Sequence, residues 1–174
     1  MNKRDIEQEL SRNLEAHHWS LSRLCAIHPP AFARNIDVTP AFIPNIIRKA
    51  GGVYLVNGSL GLICQKFERK WISRSDPGKH ESSINRFCLV SNTSNVPELL
   101  GTSYIHGNQP RRDLDAYLAS LNSVLERMPH DMSSLASIFR GEQLLGLPLE
   151  TFVAYGQEDK FKQLREYVLS ETAQ

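Results

Sequence analysis

No uninterrupted apolar run in this chain approaches the roughly 20 residues that a membrane-spanning helix requires. The opening stretch, MNKRDIEQELSRNLEAHHW, also has no apolar segment of the kind a secretory signal carries. Cysteine is scarce. Cys25, Cys64 and Cys88 are the full set, and an odd number leaves one thiol over in any pairing scheme. Small secreted domains stapled by disulfides look different, so the expectation is a reducing, cytoplasmic setting with no membrane partner. An excess of one charge is missing as well: 20 basic residues stand against 19 acidic ones. A chain that coats nucleic acid through phosphate contacts is basic over its whole surface. Any such role here has to rest on a local patch.

Catalytic signatures are absent too. There is no Gly-x-Ser-x-Gly elbow, no Gly-x-x-x-x-Gly-Lys-Ser/Thr phosphate loop and no His-Glu-x-x-His pair. The six histidines are scattered at 17, 18, 28, 80, 106 and 130. His106, after an expected strand and before Gly107, is the best placed for acid–base work. A catalytic base needs an orienting partner, and none is identifiable from spacing. Cys25-x-x-His28 has the spacing of half a zinc site, but no second short pair follows it. His17 and His18 are adjacent on an expected helix and diverge by about 100°, which keeps them from sharing an ion. The expectation is therefore no metal, no cofactor and no enzyme, with an enzyme organised around His106 as the weakest alternative.

What is present is an ordinary globular composition, 41% hydrophobic and 22% charged over 174 residues. That length suffices for one core. No repeat, low-complexity tract or linker interrupts it, so residues 1–174 read as a single domain. A polar helix is expected over about 3–18, with Ile6, Leu10 and Leu14 as a thin apolar stripe for docking. Such a stripe serves the chain's own core, a second copy in a homodimer, or a partner's groove. Pro29-Pro30 rules out helix and marks an extended edge piece. TPAFIPNIIRKAGG reads as a helix over about 40–50: Thr39 as N-cap, Pro40 at the first position, Gly51 after the end.

A β-meander of about three to five strands follows, from 53 to about 106. Asn57-Gly58, between Val53–Val56 and Leu60–Cys64, predicts a two-residue type I′ turn. Gly61 marks a bulge or a close backbone approach. The second arm continues through Phe67 to Trp71, and Ile84–Asn92 and the segment around Tyr104 supply further strands. From Arg111 to about 170 the pattern is helical. Leu114, Tyr117, Leu118, Leu121, Val124, Leu125 and Met128 form one face, and Asp131 caps the next helix. Strands followed by helices indicate an α+β fold, with a central antiparallel meander packed against amino- and carboxyl-terminal helices.

The most unusual composition lies at the far end of the expected hairpin. Lys66, Arg69, Lys70, Arg74, Lys79 and Arg86 stand against Glu68, Asp76 and Glu81, with Phe67, Trp71 and Phe87 among them. Alternation turns Phe67 and Trp71 toward the core. The remaining basic strip suits acidic side chains of a protein partner. The expected function is a non-enzymatic protein-binding module that acts stoichiometrically, of the bacterial inhibitor, immunity-protein or secretion-chaperone kind, by fold-level analogy alone. The alternative is a nucleic-acid-binding regulator that uses the strip from Lys66 to Arg86.

Overall fold

The structure is a computed structural model and describes residues 1–22, 25–27, 37–74 and 87–173. In chain order its elements are α1 (Lys3–Ala16), β1 (Ser20–Ser22), β2 (Cys25–Ile27), β3 (Val38–Arg48), β4 (Tyr54–Cys64) and α2 (Gln65–Arg74). β5 (Leu89–Asn92), α3 (Pro97–Leu100), β6 (Tyr104–Ile105), α4 (Pro110–Glu126) and α5 (Met132–Gly141) follow. The short pair β7 (Gln143–Leu144) and β8 (Leu147–Pro148) and the helix α6 (Glu158–Thr172) complete the chain. The sheet runs β1-β2-β3-β4-β5, β6 joins β4 beside β5, and all pairings are antiparallel. The fold is α+β. Among the described residues no helix is long and apolar enough to cross a membrane.

α1 starts on a reciprocal cap. The Asn2 side chain accepts from the Asp5 N–H at 3.0 Å, and the Asp5 carboxylate accepts from the Asn2 N–H at 2.6 Å. Two of the helix's orphan donors are thereby satisfied. The stripe Ile6, Leu10 and Leu14 is fully buried in the chain's own core, beside β1, β3 and α4. At about 1.5–3 kcal/mol for each buried side chain, that docking is a substantial part of the helix's stability. It also leaves the stripe unavailable to a second copy or a partner.

Residues 40–50 do not form a helix. Residues 40–48 belong to β3, which pairs with β4 over eleven residues from Val38↔Cys64 to Arg48↔Tyr54, and Lys49 and Ala50 lead into the turn. Thr39 and Pro40 imitate a helix start, but Pro44 would remove a hydrogen bond from the middle of that helix. Ile43, Ile46 and Ile47 are β-branched and favour the pleated surface. Pro40 and Pro44 are an even number of residues apart, so their missing N–H groups share one side of the strand. With β4 paired along the whole of β3, that side is the one away from β4.

The Asn57-Gly58 turn is not formed either. Both residues lie in the middle of β4, where Asn57 opposes Asn45 and Gly58 opposes Pro44. The chain reverses instead at Ala50–Gly52, with Gly51 at φ 70° and Gly52 at φ 72°, and Lys49 N–H donating to the Val53 carbonyl at 2.8 Å. Two successive glycines supply the left-handed conformation at less steric cost than Asn-Gly does. Placing the turn there also lets the long strands bury Phe42 and Ile46 against Val56, Leu60 and Leu62. Gly61 does mark a close approach without a bulge. A Cβ built there would lie 1.9 Å from the Leu89 carbonyl oxygen, and the register on both sides of β4 is unbroken.

Of the strand expected over 84–92, Leu89–Asn92 is formed; the turn expected at Asp76-Pro77-Gly78 and Pro29-Pro30 lie outside the described residues. The helical third follows its apolar face closely, and every residue from Leu114 to Met128 assigned to that face is buried. Asp131 caps α5 by accepting from the Ser134 N–H at 2.7 Å. One core joins α1, one face of the sheet and the helices α4, α5 and α6, while Ala41, Phe87 and Val90 form a smaller cluster on the other face.

Candidate protein interface

The charged end of the expected hairpin is a helix. α2 begins at the residue after β4 ends, so the strand does not continue to Trp71. Phe67 and Trp71 are four residues apart, a spacing that one face of a strand and one face of a helix both satisfy. In the helix their rings stack, with centroids 6.1 Å apart and an interplanar angle of 27°. Phe67 is buried, and its ring also meets Tyr167 of α6 at 5.8 Å. Trp71 is partly exposed.

Between α2 and α6 lies an open groove of about 340 Å³. Phe67, Trp71 and Tyr167 give it an aromatic floor, and Lys70, Gln163 and Glu166 stand at its sides. Lys70 Nζ lies 4.6 Å from the Tyr167 ring centroid, within cation–π range. Burial, with the negative charges of Glu171 and Asp37 and the nearby Cys64 adding to it, pushes the Tyr167 hydroxyl up to about 12. It is a neutral hydrogen-bonding group at any physiological pH.

The basic strip is redistributed by this geometry. Lys66, Arg69, Lys70 and Arg74 all belong to α2, whereas Lys79 and Arg86 lie outside the described residues. Lys66 is engaged by Asp37, its Nζ 2.9 Å from the Asp37 carboxylate, and that hydrogen bond raises the Lys66 pKa above the ordinary ammonium value. Exposed pairs of this kind add little stability, but they reduce the charge offered to a partner. Arg69 and Lys70 remain exposed. The surface is therefore a mixed one with an aromatic centre and a cationic margin along α2.

Glu68, counted from the sequence among the surface charges, is buried. Its carboxylate lies 2.6 Å from Lys160 Nζ, and Lys160 also donates to the Phe87 carbonyl at 2.8 Å. Burial raises the Glu68 pKa, and the ammonium of Lys160 opposes that rise. Lys160 escaped notice in the sequence, although a signal was there. Leu164 and Val168 follow it at successive spacings of four, and all three are buried on α6. A lysine on the apolar stripe of a helix needs a buried partner.

His106 does have a partner, contrary to the expectation. Its Nδ1 lies 2.8 Å from Asp113 Oδ2, and its backbone N–H donates to the same oxygen at 2.8 Å. That backbone bond, foremost, lowers the Asp113 pKa. The pair ties the loop 106–109 to the first turn of α4. Among the described residues no Ser, Thr or Cys hydrogen-bonds the imidazole. Cys64 and Cys88 are buried. Desolvation pushes the Cys64 thiol up to about 11 and raises Cys88 further, which disfavours the thiolate form of both. Among the described residues no three His, Cys, Asp or Glu side chains stand close enough to hold a metal ion.

Comparison of this chain with protein-family models, with curated proteins and with solved structures finds no match.

Proposed function

We propose that this chain is a non-enzymatic protein-binding module, a stoichiometric inhibitor or chaperone, and that it takes an acidic partner segment on the α2–α6 face. The observation that carries this reading is the groove itself, an aromatic floor that includes partly exposed Trp71 next to exposed Arg69 and Lys70. Tryptophan and arginine are the side chains most enriched among residues that dominate binding energy, above all where an aromatic group is ringed by polar ones. An apolar side chain of the partner enters the groove, and neighbouring carboxylates meet the cationic margin of α2. With Lys66 already engaged by Asp37, the apolar anchor contributes most of the affinity and the charges mainly set encounter rate and orientation.

The test is capture of partners from native host cells with wild type and with two variants, Trp71→Ala and Arg69→Glu/Lys70→Glu, all checked for unchanged fold. The reading expects one stoichiometric protein that the tryptophan variant loses almost entirely and the charge variant retains in part. A partner captured equally by all three proteins would contradict it.

A further inference from the structure

A second cavity, of about 390 Å³, opens where α1 and α4 end, and it involves no residue of α2 or α6. The groups around it are chemically one-sided. His17, His18 and Trp19 come from the end of α1, Asn122 and Glu126 from the last turns of α4, and His130 from the segment after it. Among the described residues no lysine or arginine lines it. Both helices present their carboxyl ends there, where the macrodipole is negative and backbone carbonyls lack intrahelical donors.

The hydrogen-bonding roles follow from geometry. His17 Nδ1 lies 2.8 Å from the Asn13 carbonyl. A carbonyl only accepts, so Nδ1 carries the proton and Nε2 of the neutral ring is an acceptor. Asn122 Oδ1 is buried and has no hydrogen-bond partner. Glu126 adds an exposed carboxylate. The neighbouring charges are committed elsewhere: the Arg127 guanidinium is engaged by Glu98 and by the Ser123 carbonyl, and the Asp131 carboxylate caps α5. His18 holds a left-handed backbone at φ 65°, which is costly outside glycine and turns the chain sharply at the cavity's edge. The acceptors are spread around a cavity rather than gathered on a point, and among the described residues no cluster stands close enough to hold a metal ion.

We infer that this cavity binds an organic cation, a primary ammonium or guanidinium group. Such a group carries several N–H donors a few ångströms apart and a charge that two helix carboxyl ends and Glu126 favour. The Trp19 side chain also lines the cavity.

The experiment follows the imidazole and indole signals of the full chain by NMR while probes are added at about pH 7.5. The probes are methylguanidinium, spermidine and an acetyl-arginine-amide, with N-methylacetamide as the neutral control and Zn²⁺ as the metal control. The expected result is saturable shifts confined to His17, His18, His130 and Trp19 with the cations. Glu126→Gln and Asn122→Leu, with folds verified by the unchanged remainder of the spectrum, should each weaken binding roughly three- to tenfold. Tighter binding of acetyl-arginine-amide than of the free amines assigns the cation to a protein side chain, and the reverse assigns it to a small molecule; both support the site. Absence of saturable shifts up to about 10 mM, equal shifts from N-methylacetamide, tighter binding of Zn²⁺ to the same histidines, or unchanged affinity in both variants would overturn it.

Discussion

Glu68 and Lys160 face each other inside the protein, carboxylate to ammonium at 2.6 Å, one from α2 and the other from α6. The pair fastens the helix that carries the proposed interface to the helix that forms the groove's other wall. Lys160 extends the link to the sheet through the Phe87 carbonyl. A buried pair adds little net stability, because desolvation offsets attraction, but removing one member strands the other. Lys160→Met should therefore cost about 3–5 kcal/mol, and the double variant Glu68→Gln/Lys160→Met should recover a large part of that. Denaturant unfolding of the three proteins checks this. A double variant no better than Lys160→Met alone would contradict it.

The same pair predicts a pH dependence. Glu68 has its pKa raised in the folded protein, chiefly by burial. A raised carboxyl favours the fold most below its unfolded value, and the contribution is lost as pH climbs through the folded value. Glu68→Gln should remove this loss, so its stability relative to wild type should rise as pH goes from the ordinary carboxylate range toward neutrality. A relative stability that falls with rising pH would show that the ion pair outweighs the desolvation.

Two glycines in β4 are predicted to be irreplaceable for the same reason. A Cβ at Gly61 would lie 1.9 Å from the Leu89 carbonyl oxygen, and one at Gly58 would lie 2.1 Å from that of Ile43. Both obstacles are backbone, which cannot rotate away. Gly58→Ala and Gly61→Ala should each destabilise by about 3 kcal/mol or more. Gly141, at the end of α5 with open space around it, is the control. Gly141→Ala should be neutral or stabilise by up to about 1 kcal/mol. Thermal melts rank the three.

The position of the hairpin turn separates two substitutions cleanly. Gly51 has positive φ with open space where a Cβ would stand, so Gly51→Val should lose stability through backbone strain alone. Asn57 lies within a strand, and its side-chain Oδ1 is buried without a partner. Asn57→Val should be neutral or stabilising, since it removes an unsatisfied acceptor and suits the sheet. The opposite order of melting temperatures would return the turn to Asn57-Gly58.

How far the sequence carried depended on whether a pattern had one physical interpretation. The α4 face, with Leu114, Tyr117, Leu121 and Val124 at helical spacing, fits only a helix, and all four are buried. The α1 stripe and the Asp131 cap were legible on the same grounds. Patterns with two interpretations misled. Thr39-Pro40 opens a helix or enters a strand; the rest of the segment decides, and Pro44 with its β-branched neighbours favours the strand. Phe67 and Trp71 satisfy both periods, and the change to helix at Gln65 comes without a turn to announce it. Of the candidate interface, the cations on α2 were visible in the sequence. Tyr167, Gln163 and Glu166, which complete the groove, were not, because they come from a helix about 100 residues along, and no local pattern links distant segments. The His106–Asp113 pair was missed for a simpler reason: a loop residue and a first-turn carboxylate seven positions apart share no periodicity.

The central claim is that binding rests on an apolar anchor with a charged margin rather than on phosphate contacts. The measurement is affinity of the wild-type chain for its captured partner, for a generic duplex and for a single strand, from low to physiological salt. Nucleic acid releases condensed counterions, so its affinity falls steeply and linearly on logarithmic axes. A protein interface of the proposed kind loses association rate as salt rises yet keeps most of its affinity. The predicted result is a shallow slope with the protein partner and weak binding to both nucleic acids. Tight binding to either nucleic acid, with a slope that reports several phosphate contacts, would contradict the account.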